Sequence, residues 1–224
     1  FWLDLESNYQ AIFRRKPAPS LRNLGERMRY RLYSKTERSW EGMFEAINKA
    51  RHSIYWENYI LQNDTSALNF FKILKEKAGR GIKVKIILDR FGSSELLQKD
   101  LLGLKNSGIE LLYFDFWFRR IHRKILIVDE RIAFLGGVNV GKKYRKWLDL
   151  HLRLEGKIVR YLLNSFAALY KMCGGKDETV LKSKVKESNV HKVFGVKHWF
   201  LEHWPVRGKN ILRDHYKKRL NRAQ

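Results

Sequence analysis

IHRKILIVDERIAFLGGVNV, residues 121–140, sets a histidine and a lysine two positions apart at the start of a run of Ile, Leu and Val. The apolar pattern predicts two strands, 122 to 128 and 132 to 135. Alternate side chains of a strand share a face, so His122 and Lys124 should lie side by side, about 6 to 7 Å apart at their Cα atoms. Two unpaired cations on a buried face are costly, so that face should meet a phosphate or an acidic group.

The segments around this stretch alternate between strand and helix patterns. Amphipathic helices are predicted at 40–50, 67–79, 94–108 and 157–175, and strands at 52–61, 82–89, 109–114 and 147–156. We expect Ser39 to cap the first helix, and Asp64 or Ser66 to begin the second. The continuous apolar character of 82–89 is typical of a parallel strand. The pattern therefore predicts an α/β fold, a layered sandwich with a mixed, mostly parallel sheet flanked by helices.

Composition divides the chain into four parts. Residues 1–28 are basic and contain two of the three prolines, and we expect an N-terminal arm or linker there. Residues 29–173 carry the strand and helix pattern. Residues 174–190 are polar and poor in large apolar groups, which predicts a linker or mobile loop. Residues 191–224 read as strand and then helix, and the helix repeats features of residues 39–50.

The charge is strongly positive. The 46 Lys and Arg against 23 Asp and Glu give a formal net charge of +23, which favours nucleic acid or an anionic membrane face as a partner. The single cysteine excludes an intramolecular disulfide, and no apolar run approaches the ~20 residues that span a bilayer. The first residue is Phe and no signal peptide follows, so we expect a piece of a longer protein, with any membrane anchor outside it.

Six residues in the quoted stretch have the spacing of a known signature: His122-x-Lys124-x4-Asp129-x6-Gly136-Gly137-x-Asn139. This resembles the HxKx4Dx6G(G/S)xN motif, or HKD motif, of the phospholipase D superfamily. The segment KWLDLHLRLEG, which follows it, resembles the cardiolipin synthase branch. Residues 29–173 are thus similar to one phospholipase D-like catalytic repeat, with the double glycine of the first repeat of those synthases.

The resemblance implies roles for four side chains. His122 is the nucleophile that attacks phosphorus, or its acid/base partner, and Lys124 holds the phosphate. Asn139 matches the family's phosphate-binding amide. Asp149 stands where the family has an acid that accepts the other imidazole proton. No metal or other cofactor is implied, because histidine and lysine supply what a cation would.

The remaining candidates depend on position. Asp129 belongs to the motif, but a five-residue offset turns it to the opposite face of a strand, so we expect it to be structural rather than catalytic. Gly136 and Gly137 should let the backbone approach the substrate. Glu57 should point into the same cleft from its own strand.

The stretch YFDFWFRRIHRK, residues 113–124, has two interpretations. It is either ordinary core, or it sets Trp117 at the mouth of the cleft, where aromatic rings meet lipid headgroups. In the second interpretation, which we favour, Arg119 and Arg120 contact phosphates there.

The resemblance implies a membrane-associated phosphatidyltransferase of the cardiolipin synthase type, at the bacterial cell membrane. It would move a phosphatidyl group between anionic phospholipids, such as phosphatidylglycerol, through a phosphohistidine. The family site needs two such histidines, and this chain has one motif. Either residues 191–224 begin a truncated second repeat, which we favour, or a homodimer partner supplies the second histidine. The alternatives are a phosphodiesterase acting on nucleic acid or lipid, and a non-catalytic anion-binding module.

Overall fold

The computed structural model describes residues 29–63, 68–116, 119–182, 190–193, 198–201 and 211–222. Residues 1–28, the predicted basic arm, lie outside this part. The strands are β1 (Arg29–Lys35), β2 (Ser53–Asn58), β3 (Lys83–Asp89), β4 (Glu110–Phe114), β5 (Lys124–Val128), β6 (Ile132–Gly136), β7 (Leu148–Glu155), β8 (Val190–Val193) and β9 (His198–Leu201). The helices are α1 (Thr36–Lys49), α2 (Phe70–Gly79), α3 (Gln98–Asn106), α4 (Ile158–Met172), α5 (Glu178–Leu181) and α6 (Ile211–Leu220), with a 3₁₀ turn at Lys142–Tyr144.

The first seven strands form one sheet in the order β1-β7-β6-β5-β2-β3-β4. The predicted α/β sandwich is therefore confirmed. The prediction of a mostly parallel sheet is wrong, because only β2–β3 and β3–β4 are parallel and the other four pairs are antiparallel. Helices α2 and α3 make the two parallel crossovers, whereas a turn of three residues joins β5 to β6 and forces them antiparallel. The continuous apolar strands reflect helices on both faces of the sheet rather than strand direction.

Each face of the sheet has its own core. On the first face, α1 and α2 pack against side chains such as Trp56 and Leu126. On the second face, α4 packs against Tyr55 and Ile127. Because neighbouring residues of a strand face opposite cores, position along a strand decides which layer a polar side chain enters.

Three helices begin more than one residue from their predicted starts, and one of them is α3, which begins at Gln98 rather than at residue 94. Helix α1 begins at Thr36, and Ser39 lies inside it with its hydroxyl donating to the carbonyl of Lys35 at 3.2 Å. Helix α2 begins at Phe70 after Asn69, whose side chain accepts from the amide of Lys72. The predicted starts of this helix, 64 and 66, lie outside the described residues.

The predicted linker at 174–190 is partly folded onto the sheet. Helix α5 lies within it, and Val180 is fully buried. The amide of Gly175 donates to the carbonyl of Tyr170 at 2.8 Å, and Asp177 forms an ion pair with Lys85 at 2.9 Å. The folded part of the chain therefore continues at least to residue 182, while residues 183–189 lie outside the description.

The C-terminal part contains β8 and β9, which pair antiparallel, and helix α6. The strand and the helix predicted in 191–224 are thus present, with two short strands in place of one. That this part begins a second repeat stays a prediction.

Candidate active site

The predicted site lies at one end of the sheet. There β2 ends at Asn58, β5 begins at Lys124, and the two residues are cross-strand neighbours. Strand β6 ends at the same edge with Gly136, which lies opposite His151 of β7. Antiparallel pairing next to parallel strands thus brings the ends of β2 and β6 together with the start of β5.

His122 and Lys124 do not both lie on the strand, contrary to prediction. Strand β5 begins only at Lys124, and His122 belongs to the preceding loop. His122 is exposed, whereas Lys124 is 3% exposed. The two still meet at Tyr59, whose ring centroid lies 4.6 Å from that of His122 and 5.1 Å from the ammonium of Lys124.

Lys124 is a buried cation without a matching carboxylate. Its ammonium donates to the carbonyl of His122 at 3.3 Å, and it has no ion pair among the described residues. Burial lowers the pKa of Lys124 to about 8, although the charges of Asp149 and Asp89 oppose this shift. At neutral pH the side chain is therefore mostly charged, and among the described residues no carboxylate pairs with that charge.

The imidazole of His122 is held in its neutral form. Although His122 is exposed on one side, partial burial of its ring, and then the charge of Lys124, lower the pKa of His122 below its ordinary value of 6.5, against the opposing charges of Asp89 and Asp149. A neutral imidazole keeps a lone pair at neutral pH, which is what a nucleophile or general base requires.

Asp149 lies near both cations but does not hold the imidazole. Its Oδ1 accepts from the amide of Leu150 at 2.8 Å, and within the described residues it forms no hydrogen bond to His122. The predicted contact with the imidazole proton is therefore not present. The charge of Asp149 opposes the lowering of the pKa of His122 and of Lys124, and it does so without outweighing burial.

The two glycines make room for side chains of β7. A Cβ on Gly136 would lie 2.7 Å from Nδ1 of His151, and one on Gly137 would collide with the carboxylate of Asp149. We predicted that these glycines admit the substrate to the backbone. Their packing gives a different reason, because only glycine lets Asp149 and His151 lie against the end of β6.

Asn139 lies on a segment fixed to the end of β2. The amide of Val140 donates to the carbonyl of Ile60 at 3.1 Å, and the indole of Trp40 donates to the carbonyl of Asn139 at 3.0 Å. The Oδ1 atom of Asn139 is buried and has no hydrogen-bond partner among the described residues. Its backbone is thus held at the site edge, with an unused polar side-chain atom.

His151 is a site residue that the sequence interpretation missed. It is 1% exposed, it stacks on Phe134 at 6.3 Å, and neither ring nitrogen has a hydrogen-bond partner in the described chain. Burial and then the charge of Lys124 lower the pKa of His151 to about 4, so it is neutral. The alternation of β7 places His151 on the same face as Asp149, and that spacing was the signal for it.

Asp89 is a second missed residue, at the end of β3. Its Oδ1 accepts from the amides of Phe91 and Gly92, and its Oδ2 accepts from the amide of Ile121 at 2.8 Å. One buried carboxylate thus ties the loop after β3 to the chain just before His122. Its place at the carboxyl end of a parallel strand was the signal, because loops carrying functional groups gather at that edge.

Asp129 lies at the other end of β5, about 16 Å along the strand from the site by the strand rise. Its carboxylate accepts from the amides of Arg51, His52 and Ser53 at 2.7 to 3.1 Å. Burial alone would raise the pKa of Asp129, but these backbone hydrogen bonds outweigh it and lower the pKa. A catalytic role does not fit this placement, and Asp129 fixes the turn after β5 to the start of β2.

Glu57 does not point into the cleft, and that prediction is wrong. Asn58 is the neighbour of Lys124 on the first face, so Glu57 faces the second core. There it is 1% exposed and accepts from Nε of Arg123 at 2.7 Å. A shift of one residue along β2 separates the buried ion pair from the site.

Two of the predicted headgroup contacts lie at the rim of the site. Arg119 and Arg120 are exposed, and the guanidinium of Arg120 lies 4.1 Å over the ring of Phe91, which is 62% exposed. Trp117 lies outside the described residues. Among the residues that are described, no group of acidic, His or Cys side chains has the arrangement of a metal site, and no helix is long and apolar enough to cross a membrane.

Comparison with known proteins gives a family match. A family model described as cardiolipin synthase, PLD-like domain, matches residues 43–170. The probable cardiolipin synthase YwiE of Bacillus subtilis is 30% identical over 174 residues, which are 70% of this chain and 35% of that protein. Cardiolipin synthase 1 of Bacillus cereus is 34% identical over 163 residues, 66% of this chain and 30% of that protein. The chain spans about a third of the length of these curated relatives.

Two solved structures share the fold. NucT from Helicobacter pylori has a TM-score of 0.56 at 19% identity, over 67% of this chain and 100% of that chain. Nuc from Salmonella typhimurium, a phospholipase D family member, has a TM-score of 0.54 at 23% identity, over 65% of this chain and 95% of that chain. At these identities the likeness shows the fold alone, and it confirms the layered sandwich.

Proposed function

Because the chain belongs to the phospholipase D-like family, we propose that it is a catalytic repeat of a phosphatidyltransferase of the cardiolipin synthase type. It takes a phosphatidyl group from an anionic phospholipid such as phosphatidylglycerol, releases glycerol, and passes the group to a hydroxyl of a second phospholipid. The observation that carries this proposal is the charge of Lys124, buried at the open end of the sheet.

A buried ammonium without an ion pair costs free energy unless an anion joins it. Lys124 is 3% exposed and, within the described residues, lies in contact with no carboxylate. A phosphodiester at the end of β5 is an anion that suits this position. Its non-bridging oxygens gain charge in the transition state, where a fixed cation is most effective.

His122 is the group that we propose forms the phosphohistidine. Its lone pair attacks phosphorus, the new N–P bond replaces the bond to the leaving glycerol oxygen, and an acid protonates that oxygen. The acceptor hydroxyl then attacks phosphorus, gives up its proton, and the N–P bond breaks. The lowered pKa of His122 supports the first step, because the imidazole is neutral at neutral pH. Asn139 would donate to the phosphate oxygens.

We propose that the acid that protonates the leaving oxygen is a second histidine. This histidine comes from a second HKD repeat. That repeat either lies in a C-terminal half beyond this sequence, which we favour with 191–224 as its start, or belongs to a second copy of the chain. On this proposal the 224 residues by themselves bind phosphate and turn over poorly.

The membrane surface is the proposed partner, and the bacterial cell membrane the proposed location. Apolar side chains are exposed at the site end of the sheet, with Phe91 62%, Trp147 55% and Leu148 72% exposed. Arg119 and Arg120 are exposed as well, and Arg120 lies over the ring of Phe91. Apolar side chains among cations are typical of surfaces that bind anionic lipid headgroups, so this rim supports the proposal.

Nucleic acid is the second candidate substrate, because a formal charge of +23 also suits DNA. In that case the site would hydrolyse a phosphodiester with water as the acceptor. The two candidates share His122 and Lys124 and differ in acceptor and product.

The test uses the full-length parent protein with phosphatidylglycerol vesicles and, separately, with plasmid DNA. We expect a new diphosphatidyl lipid and free glycerol, and loss of both in His122→Ala. The matched control is His52→Ala, since His52 is exposed beside Asp129 at the opposite end of the sheet. Plasmid cleavage without a new lipid would refute the synthase proposal, and full activity in His122→Ala would favour a non-catalytic module.

A further inference from the structure

We propose that Tyr59 is a positioning residue whose ring holds the imidazole of His122 and the ammonium of Lys124 in one arrangement. The inference rests on the proposed function of those two groups. Tyr59 follows directly after Asn58, the last residue of β2, and is half-buried at the site end of the sheet.

The ring contacts both groups from a single position. Its centroid lies 4.6 Å from that of His122, at 63° between the planes, and 5.1 Å from Nζ of Lys124. Among the described residues, Tyr59 is the one side chain in ring contact with both. A hydroxyphenyl face stabilises an ammonium without neutralising it, whereas a carboxylate in the same place would compete with a phosphate. The contact therefore preserves the anion-binding capacity of Lys124.

The ring is itself fixed from behind. The hydroxyl of Ser93 donates to the carbonyl of Tyr59 at 2.9 Å. A Cβ on Gly92 would lie 2.7 Å from Cδ2 and Cε2 of the Tyr59 ring, so the backbone of this loop packs directly against it. Asp89 accepts from the amides of Gly92 and Ile121, both at 2.8 Å. The carboxylate of Asp89 thus holds both the loop that packs against the Tyr59 ring and the backbone just before His122.

The ring, and not the hydroxyl, makes these contacts. No hydrogen bond of the Tyr59 hydroxyl is present among the described residues, while the ring has the two contacts above. Tyr59→Phe is therefore the matched control, because it keeps the ring and removes the hydroxyl. Tyr59→Leu removes the aromatic face and part of the cover of His122.

The experiment is an NMR pH titration of the His122 imidazole in the 224-residue chain. Burial is the largest cause of the lowered pKa of His122, so Tyr59→Leu should raise its midpoint toward 6.5. Tyr59→Phe should keep the wild-type midpoint. Inorganic phosphate added to the same samples should bind about fivefold more weakly to Tyr59→Leu than to Tyr59→Phe, because binding must then immobilise a lysine side chain that the ring no longer holds.

Equal midpoints in wild type and Tyr59→Leu, or an equal change in Tyr59→Phe, would overturn the role of the ring. If Tyr59→Leu does not fold, Tyr59→Met replaces it, because Met also lacks the aromatic face and its flexible side chain fills irregular gaps. The midpoint should then also rise, and an unchanged midpoint would count against the proposal. The titration needs neither a lipid nor a second histidine, so wild-type protein that fails to bind phosphate would instead count against the proposed function.

Discussion

Lys85 and Lys124 are both buried in the same sheet, 6% and 3% exposed, but their surroundings are opposite. Lys85 lies on the second face in an ion pair with Glu110 and with Asp177, and its ammonium donates to the hydroxyl of Tyr170 at 3.3 Å. Burial alone would lower the pKa of Lys85, but these partners raise it above its ordinary value. The pKa of Lys124, without such partners, falls to about 8.

The comparison separates two uses of a buried cation. The partners of Lys85 come from β4 and from the start of α5, so its charge fastens the segment after α4 to the sheet. Within the described residues, Lys124 forms no ion pair that joins two segments, and it lies at the end of the sheet where β5 begins. An uncompensated buried cation costs free energy, and this cost is the reason for proposing an anionic ligand at Lys124.

The largest expected effect is that of Lys124→Met on function. We expect phosphatidyl transfer by the full-length protein to fall about 10²- to 10³-fold, as when one charge-stabilising donor is removed. The free energy of unfolding should not fall, because the change removes an uncompensated charge. Lys49→Met, at a side chain 73% exposed, is the control and should have full activity. If Lys124→Met keeps activity within about threefold of wild type, the buried charge of Lys124 does not serve catalysis.

The next effect is that of Lys85→Met on stability. We expect a loss of about 2 to 3 kcal/mol, somewhat below the cost of breaking a fully buried pair because Glu110 and Asp177 keep 35% and 23% of their side-chain surface exposed. Urea unfolding of the 224-residue chain measures it. The matched control is Lys83→Met, which also loses a pair with Asp177 but from a side chain 37% exposed, and should cost less than about 1 kcal/mol. Equal losses for the two variants would show that burial does not set the strength of this ion pair.

The last prediction concerns the pH dependence of the free energy of unfolding, to which Lys124 and Lys85 should contribute differently. Between about 8 and 10.5 the unfolded chain binds a proton at Lys124 that the folded chain has lost, so stability relative to Lys124→Met should rise with pH in that window. The contribution of Lys85 should be complete below 10.5 and be lost only as pH rises through its raised folded pKa. Urea unfolding at several pH values from 7 to 10.5 tests this: the difference in unfolding free energy between wild type and Lys124→Met should change over the range, and that between wild type and Lys85→Met should stay constant. A parallel pH dependence for the two variants would mean that their surroundings do not differ as described.

The sequence predicted much of the fold and the centre of the site. Periodicity placed strands and helices close to their observed ranges, and the motif spacing singled out His122 and Lys124, whose catalytic roles stay a prediction. The misses came from faces and directions. Glu57 was assigned to the cleft, although Asn58, the next residue of β2, is the one on the face of Lys124. The sheet was predicted to be mostly parallel, and this was wrong because apolar runs do not encode strand direction. His151 and Asp89 carried local signals that were not used.

The sequence by itself determined which residue types stand at which spacing, and with them the family. A motif of this kind can be read directly because its residues are close together in the chain. Only the tertiary structure decided which of those residues meet. Pairing of β5 with β2 put Asn58 beside Lys124. Packing of β7 against β6 put His151 against Gly136. Burial, and hence the charge state of Lys124, depends on contacts between strands far apart in the chain, and no local pattern specifies them.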